Sequence, residues 1–391
     1  MNATEFKQCK KCVLDTTAKY ITFDSEGICN HCRQYAAMAK KYVDIPQEKK
    51  DKELSVIVSK IKRLGKNNKY DCILGLSGGA DSSYLAYFAK QLGLRPLVVH
   101  FDNGWNSELA VKNIENIVSK LGYDLYTYVF DWEEFKDLQV AYLKASVVDT
   151  EVPTDYLIFA VLNKIAAKEN IKYILSGYNY VTEFGMPKGW NYDKKFDHVN
   201  LENIHKKFGK VELKKFPTFG ISQRYWYEEI LGIETVTLLN FKPYIKKEIK
   251  DLIAKELDWR DYGGKHHESI FTRFYQDYIL PKKFNIDKRK THWSSLIWSG
   301  QATKQEALAD LANEPYPKEL QEQDRVYVTK KLGLTDTEFE SIMNTKPIEH
   351  EFYGFESPDN LKFKLYKLLL YVPARISKKI RYIKATGRWK N

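Results

Sequence analysis

The 391-residue sequence has few cysteines, only five, and no long apolar run. No stretch approaches the ~20 consecutive apolar residues that cross a bilayer, so no transmembrane helix is expected. The N-terminal residues lack the apolar centre of a secretory signal peptide, which predicts a cytoplasmic protein with reduced thiols. At 43% hydrophobic and 29% charged residues, the composition is typical of a globular protein of two or three domains.

The body of the chain also lacks an excess of positive charge. The formal net charge is +11, but residues 357–391 hold ten Lys/Arg and one Asp, a net of +9, so the remainder carries only +2. A nucleic-acid partner is therefore not favoured. In the tail, lysines and arginines alternate with leucines and isoleucines. This pattern predicts either a helix packed on the body or a basic amphipathic helix at an anionic membrane, peripheral to its inner face.

Four of the cysteines form two C-x₂-C pairs separated by sixteen residues. This spacing is typical of a structural zinc site with four thiolate ligands, and two disulfides are the alternative. The fifth, Cys72, falls inside a predicted strand and is expected to be buried, so no cysteine remains as a glutaminase nucleophile. The predicted zinc ligands are Cys9, Cys12, Cys29 and Cys32.

A glycine turn follows the first predicted strand, near residues 70–76, and leads into a helix predicted near 82–92. Adjacent glycines let the backbone turn its N–H groups into an anion-binding nest, and the helix points its positive end at the same place. A phosphate is the expected ligand, with an ordinary serine-rich turn as the alternative. The residues predicted to bind it are Ser77, Gly78, Gly79, Ser82 and Ser83.

Asp81 lies in this turn. A Walker A motif ends in Gly-Lys followed by Ser or Thr, whereas Ala80 and Asp81 follow the glycine here. A carboxylate beside a phosphate is repelled unless a cation lies between them, so Asp81 predicts a Mg²⁺ ion. Strands predicted near 96–101 and 172–176 should end at the same crevice, because parallel strands present ligands at their carboxyl ends. We expect Phe101, Asp102 and Gly104 near a nucleoside, and Gly177 facing the crevice.

The alternation of strands and helices between about residues 66 and 180 predicts an α/β fold with a doubly wound parallel sheet. A further strand is predicted near 124–130 and helices near 107–121 and 155–168. Thr154 or Asp155 is predicted to cap the last helix, and a role in binding the substrate is the equal alternative for both. The predicted domains are a zinc knuckle (1–45), an ATP-binding domain (46–260), a mostly helical acceptor-substrate region (261–350) and a basic tail (351–391).

A glycine turn at residues 263–269 is crowded with titratable groups. His266 and His267 do not follow a core pattern, and a His–Glu cluster there could transfer protons. A solvated charged surface is the equal alternative. The cations nearby that could hold a phosphate or carboxylate are Lys265, Arg273, Lys288 and Arg289.

The Ser-Gly-Gly-x-Asp-Ser loop is similar to the signature of the PP-loop ATP pyrophosphatases, whose fold is of the adenine nucleotide alpha hydrolase type. The cysteine knuckle, this loop, residues 100–106 and the run 262–289 follow one another along the chain. In that order they resemble the N-acetyl sugar amidotransferase family of surface-polysaccharide and nonulosonic acid biosynthesis, including lipopolysaccharide O-antigen. The relatives' Gly-His stands here as Ser176-Gly177-Tyr178, so a metal or acid role is doubtful there.

The resemblance implies a ligase that converts an acetamido group of a nucleotide-linked or free sugar into an acetamidino group. ATP would adenylylate the amide oxygen, and ammonia from a separate glutaminase with a cyclase-like subunit would displace AMP. It implies ATP, Mg²⁺ and structural Zn²⁺ as cofactors. It implies Asp81, Lys265 and His266 as catalytic residues.

Two other functions fit parts of the sequence. A tRNA-modifying PP-loop enzyme, a thiolase or a ligase, would also carry a zinc knuckle and a basic tail. A zinc-bearing assembly subunit with a decayed nucleotide site is the third interpretation, and the intact Asp81 and Ser82 argue against it.

Overall fold

The computed structural model describes residues 5–361, 363–370 and 378. A parallel sheet in the order β3-β2-β1-β4-β5 forms its centre. The predicted doubly wound α/β fold is therefore confirmed. The strands are β1 (Cys72–Gly75), β2 (Pro96–Asp102), β3 (Leu125–Val129), β4 (Tyr173–Leu175) and β5 (Glu234–Val236).

Helices surround the sheet and make up most of the C-terminal region, as the sequence predicts. Short 3₁₀ segments occur at Leu238–Phe241 and His350–Tyr353, and π-helical turns occur at Trp226–Ile230 and Tyr275–Ile279. Within the described residues, none of the helices is both long and apolar enough to span a bilayer. The α-helices are α1 (Asn30–Tyr42), α2 (Gln47–Leu64), α3 (Ala80–Gln91), α4 (Glu108–Leu121), α5 (Trp132–Ala145), α6 (Val152–Lys168), α7 (Tyr180–Glu183), α8 (His198–Phe208), α9 (Ile221–Tyr225), α10 (Lys246–Leu257), α11 (Ile270–Phe274), α12 (Leu280–Phe284), α13 (Arg289–Trp298), α14 (Lys304–Leu311), α15 (Lys318–Leu332) and α16 (Asp336–Asn344).

Both faces of the sheet are buried. Successive residues of β1 belong to different hydrophobic clusters, since side chains alternate along a strand. Ile73 joins the cluster that contains Leu157 of α6. Leu74 joins the cluster that contains Leu85 of α3 and Ile253 of α10. Burial on both faces explains why β1 and β2 are nearly continuous apolar runs in the sequence.

The order of the strands reverses beside β1, which pairs with β2 on one side and with β4 on the other. Ligands of open parallel sheets bind outside the carboxyl ends of the strands at such a point. The loop 77–83 follows β1 and the segment 176–179 follows β4. The topology therefore places these two segments side by side at the expected binding crevice.

Several elements of this fold were missed by sequence reasoning, among them α5, α8, α10 and β5. The helix α5 buries Glu134, Asp137 and Gln139 along with its apolar residues, which interrupts the apolar stripe that would reveal it. The strand β5 has only three residues and is partly exposed, so it gives almost no alternating signal.

The predicted cap of α6 was wrong. The helix begins at Val152 with Glu151 at the N-cap position, so Thr154 and Asp155 lie within its first turn. Pro153 is tolerated in that turn because first-turn N–H groups have no partner inside the helix.

The four cysteines of the two C-x₂-C pairs lie together as free, buried thiols. The Sγ atoms of Cys9 and Cys32, and those of Cys12 and Cys29, are 3.7 Å apart, and Cys29 and Cys32 are separated by 3.5 Å. A Zn–S bond of about 2.3 Å gives a tetrahedron with edges of roughly 3.8 Å. The set could hold one structural Zn²⁺.

This zinc knuckle is fixed to the C-terminal helices. Trp298 of α13 donates its indole N–H to Cys32 Sγ at 3.1 Å, and the Lys304 ammonium donates to the Cys9 carbonyl at 2.6 Å. Lys290 pairs with the buried carboxylate of Asp15 at 2.6 Å. The knuckle therefore supports α13, a helix that also lines the candidate functional site.

We predict that Cys12→Ser lowers zinc content, measured by plasma mass spectrometry, from one ion per chain towards zero. Tm should fall by at least about 5 °C, or roughly 2 kcal/mol, because zinc binding contributes folding free energy. Cys72→Ser is the control, since Cys72 lies outside the knuckle and should leave the zinc content unchanged. Retention of a full equivalent of zinc by Cys12→Ser would contradict the assignment.

Candidate functional site

The phosphate-binding loop forms the tight turn between β1 and α3. Gly78 has a φ of +83°, in the left-handed region that favours glycine. Gly79 is the N-cap of the twelve-residue α3, so the first N–H groups of that helix face the crevice. Ser77 Oγ accepts from the Gly79 N–H and lies 3.2 Å from Ser82 Oγ. The loop has the geometry of an anion nest.

The Ser83 hydroxyl supports this loop from behind. Ser83 is fully buried and its hydroxyl donates to the carbonyls of Gly79 at 2.7 Å and Gly78 at 3.2 Å. The expectation that this hydroxyl donates to a phosphate is therefore wrong.

A segment 180 residues further along the chain holds the same loop in place. Trp259 donates its indole N–H to the Gly78 carbonyl at 2.7 Å, and Tyr262 donates its hydroxyl to the same oxygen at 2.9 Å. The Tyr262 hydroxyl also occupies the space that a Cβ at Gly78 would need, at 2.9 Å. Asn113 of α4 donates to Tyr262 and completes the support.

The turn 263–269 is joined to the strand end of β2 by backbone pairing. The Ser107 N–H donates to the Glu268 carbonyl and the Ile270 N–H donates to the Trp105 carbonyl, each at 2.9 Å. The pairing brings the Glu268 carboxylate within 2.9 Å of the place a Cβ would occupy on Gly79. The predicted titratable turn thus lies directly over the phosphate loop.

Asp81 lies partly buried at the centre of the site. Its carboxylate accepts from the Tyr244 hydroxyl, and the side-chain amide of Asn179 lies 3.4 Å away. Burial, followed by the charge of Glu183, raises the pKa of Asp81. A divalent cation would relieve both effects, so these residues fit the Mg²⁺ that the sequence predicts.

Positive charge faces Asp81 from two elements. Lys265 pairs with Glu183. The charges of Lys265, Glu183 and Asp81 dominate the electrostatics of this part of the site. Burial, followed by the charge of Lys265, lowers the pKa of Lys246, the first residue of α10, to about 8. In the described part of the chain no salt bridge involves Lys246, so its charge is available to an anion.

His266 and Glu268 lie beside these groups. His266 adopts a left-handed φ of +63°, and its Nδ1 lies 3.8 Å from Glu268 Oε1. Burial holds the pKa of His292 of α13 well below its usual value, and the charges of Lys265 and His266 add to this. His292 is therefore neutral at neutral pH and only a weak base.

The other predicted ligand residues lie where the strand ends place them. Gly177 packs 3.4 Å from the backbone of Asp81 and Ser82, measured from the position of an added Cβ. The Asp102 carboxylate accepts from the Gly104 N–H at 2.9 Å and fixes the turn after β2. Phe101 packs against Tyr128 and Phe130. Their predicted contacts with a nucleotide stay predictions.

Three residues singled out on the acceptor side have other roles. Arg273 makes a bidentate pair with Asp324 at 2.8 Å, and Arg289 pairs with Asp287. His267 is buried and its Nε2 lies 2.7 Å from Asp277. The prediction that His267 is not a core histidine was therefore wrong. Arg273 and Arg289 each hold a carboxylate of this chain, and their contact with a ligand stays a prediction.

Lys288 differs from these three because it lies between the small cavity near Lys265 and the carboxylate of Asp149. It is buried, it lines a small cavity with Lys265 and His266, and the charge of Asp149 acts on it. Burial lowers the pKa of its ammonium.

Two cavities adjoin the site. The small one, of about 50 Å³, is lined by Glu183, Lys265, His266 and His292 among others. The larger, of about 780 Å³, lies along α10 and α13. Lys246 lines the larger cavity and also faces Asp81, so this cavity borders the Asp81 site. Its aromatic and basic lining includes Lys246, Lys247, Lys250, Trp259 and Trp293.

Sequence reasoning missed several of these residues. Tyr244 and Lys246 belong to a region that has no recognisable turn motif, and Glu183 follows the fourth strand in a short helix. Only the fold brings them within reach of Asp81. The sequence predicts Asn179 at the end of the fourth strand but does not indicate that Asp81 lies beside it.

A family model described as "LPS biosynthesis protein WbpG-like, C-terminal domain" matches residues 268–369. An uncharacterized protein of Methanocaldococcus jannaschii is 26% identical over 332 residues, covering 81% of this chain and 98% of that protein. A tRNA(Ile)-lysidine synthase of Chlamydia pneumoniae is 38% identical over 71 residues, or 17% of this chain and 22% of that protein.

Among solved structures, NMN synthetase from Francisella tularensis superimposes with a TM-score of 0.31 and 14% sequence identity, over 75% of this chain and 98% of that one. A score this low does not establish a shared fold. The parallel sheet, the loop at its switch point and the stretch similar to the synthase support the PP-loop superfamily. The narrower family stays a prediction.

We predict that the affinity for inorganic pyrophosphate, measured by calorimetry, depends on the charge of Lys246. Raising the pH from about 7 to about 9 crosses its pKa of about 8, so the ammonium is lost and anion binding weakens. The groups facing it are Lys250, Lys265, Asp81 and Glu183.

Lys246→Met is the comparison, because it removes this titration and keeps the length of the side chain. Its affinity should be weaker at about pH 7 and should fall less than that of the unaltered protein as the pH rises. Parallel pH profiles for the two proteins would contradict the role of Lys246.

Proposed function

We propose that this protein is an ATP-dependent C–N ligase, the synthetase subunit of an amidotransferase. It converts the acetamido group of a sugar into an acetamidino group in surface-polysaccharide biosynthesis. The observation that carries the proposal is the glycine loop with partly buried Asp81, faced by Lys246 and Lys265 at the switch point of a parallel sheet. The match of residues 268–369 to a domain of LPS biosynthesis proteins supports the pathway.

ATP is held by its β- and γ-phosphates. The N–H groups of the first turn of α3 donate to them, with the Ser77 and Ser82 hydroxyls beside the nest. Lys246 and Lys265 offset the negative charge that grows on departing pyrophosphate. Asp81 would hold Mg²⁺, which when bound supplies electrostatic stabilisation of the leaving group.

The reaction has two steps. The amide oxygen attacks the α-phosphorus of ATP, a new O–P bond forms, and the α–β P–O bond breaks to release pyrophosphate. Ammonia then adds to the activated carbon and AMP departs with the former amide oxygen. One proton of the ammonia must leave, and the His266–Glu268 pair, whose carboxylate lies beside Gly79, is the proposed base.

Ammonia must come from another protein. Four of the five cysteines are grouped in the knuckle, and Cys72 is fully buried, so burial raises the pKa of its thiol well above the usual range. None is therefore placed to act as a glutaminase nucleophile. A separate glutaminase with a cyclase-like subunit is the proposed source.

The acceptor sugar occupies the cavity of about 780 Å³ along α10 and α13. Two indole rings, of Trp259 and Trp293, line it, and sugars pack well on such flat apolar surfaces. Lys246 lies on the wall shared with the ATP site. This arrangement would place the acetamido oxygen near the α-phosphate.

A second candidate is modification of tRNA, favoured by the 38% identical stretch in tRNA(Ile)-lysidine synthase. A gel shift with bulk tRNA at physiological salt tests it, since such binding weakens steeply with salt. A salt-sensitive complex with AMP formation that depends on tRNA would favour this candidate over the sugar.

We predict that Asp81→Asn abolishes turnover, reducing kcat by at least about 1,000-fold. Turnover is assayed as AMP and pyrophosphate formed from ATP, an ammonium salt and a panel of N-acetyl sugars. Because the buried carboxylate is destabilised by burial and by Glu183, its neutral replacement should not lower Tm. Glu202→Gln, an exposed change on α8, is the control for loss of one carboxylate. ADP as the product, or substantial turnover by Asp81→Asn, would reject the proposal.

We predict that Trp293→Leu raises the KM for the sugar by about tenfold with little change in the KM for ATP, because it removes one aromatic wall of the cavity. Trp226→Leu is the matched control, since Trp226 is 40% exposed and does not line this cavity. An equal rise in both KM values would argue against an acceptor site here.

A further inference from the structure

The C-terminal helix presents an apolar face to solvent. Residues 361 and 363–370 are helical, and four leucines on this segment are 51–78% exposed. Their spacing of four, three and one residues places them within about 100° of one another around a helix. We call this set the leucine face. It consists of Leu361, Leu365, Leu368 and Leu369.

The opposite face of the same helix is already packed on the body. Phe363 is only 8% exposed, and its ring meets that of Tyr225 edge-on at 6.1 Å between centroids. Tyr366 also contacts Tyr225, and the Lys367 ammonium lies over the Tyr225 ring at 5.8 Å. Rotating the helix to bury the leucines would expose Phe363. Packing on the body therefore leaves one apolar face uncovered.

The charge of the tail is complementary to one class of surface. Residues 357–391 carry a net charge of +9, against +2 for the rest of the chain. Lys364 borders the leucine face, and Lys378 is paired with Glu229. A partner that matches both features must offer a polyanionic surface that also accepts leucine side chains. An RNA would satisfy the charge and leave the leucines in water, whereas an anionic bilayer satisfies both.

We propose that the C-terminal helix docks the protein on an anionic lipid surface, with the leucine face inserted among the acyl chains and the basic residues at the headgroups. The body stays outside the bilayer. Apolar burial supplies one part of the affinity and headgroup attraction the other, so binding requires both anionic lipid and the leucines.

The test is vesicle flotation of the full-length protein. The vesicles contain phosphatidylcholine alone or phosphatidylcholine mixed with phosphatidylglycerol. We expect binding only to the mixed vesicles, weakened by added salt, and reduced at least about tenfold in Leu365→Asp/Leu368→Asp. Val56→Asp/Val326→Asp is the matched control, because both valines are exposed on helices elsewhere. It should bind as the unaltered protein does.

Three outcomes would overturn the proposal. Equal binding of the leucine variant and the unaltered protein would exclude the leucine face. Binding to both vesicle types would exclude charge recognition. A dimer in solution that the leucine variant converts to a monomer, with no lipid binding, would assign the face to a second copy of the chain. AMP formation without lipid should be the same in all variants, which separates this test from that of the proposed ligase activity.

Discussion

The carbonyl oxygen of Gly78 is the point on which the site depends. It accepts from Trp259 and Tyr262, two residues more than 180 positions further along the chain. These bonds hold a glycine in a left-handed conformation beside the first turn of α3, whose N–H groups have no partner inside the helix. They also bring the turn 263–269 above the loop. A local nest thereby becomes one wall of a crevice that two regions of the chain build together.

The charges in this crevice are arranged at a cost to the folded state. Asp81 and Glu183 are both partly buried, and the charge of Glu183 acts on Asp81 while Glu183 pairs with Lys265. Burial, followed by the charge of Lys265, lowers the pKa of Lys246 to about 8. A phosphate with a divalent cation would satisfy all four groups. Such unresolved charges are a feature of binding and catalytic sites, where the ligand completes the electrostatic balance.

The zinc knuckle and the C-terminal helix extend this arrangement outward. The knuckle contacts α13 through Trp298 and α14 through Lys304. A small cysteine site at the N-terminus, which could hold zinc, therefore supports the helix that carries His292. The C-terminal helix is attached through Phe363 and leaves its leucine face to solvent. In the proposed function, a soluble substrate pocket and a lipid-facing helix would belong to one molecule that serves surface-polysaccharide synthesis.

The sequence by itself determined the parallel sheet, the phosphate loop around Asp81 and the cysteine set, because each depends on residues close together in the chain and on spacings with few physical solutions. It placed His267 outside the core, which was wrong, and did not show that Arg273 pairs with Asp324, because these partners meet only once the chain has folded. It gave no sign of Tyr244, Lys246 or Glu183. Only the tertiary structure decided which charges face Asp81 and which side of the tail is covered, because burial and pairing depend on contacts between distant segments that no local pattern encodes.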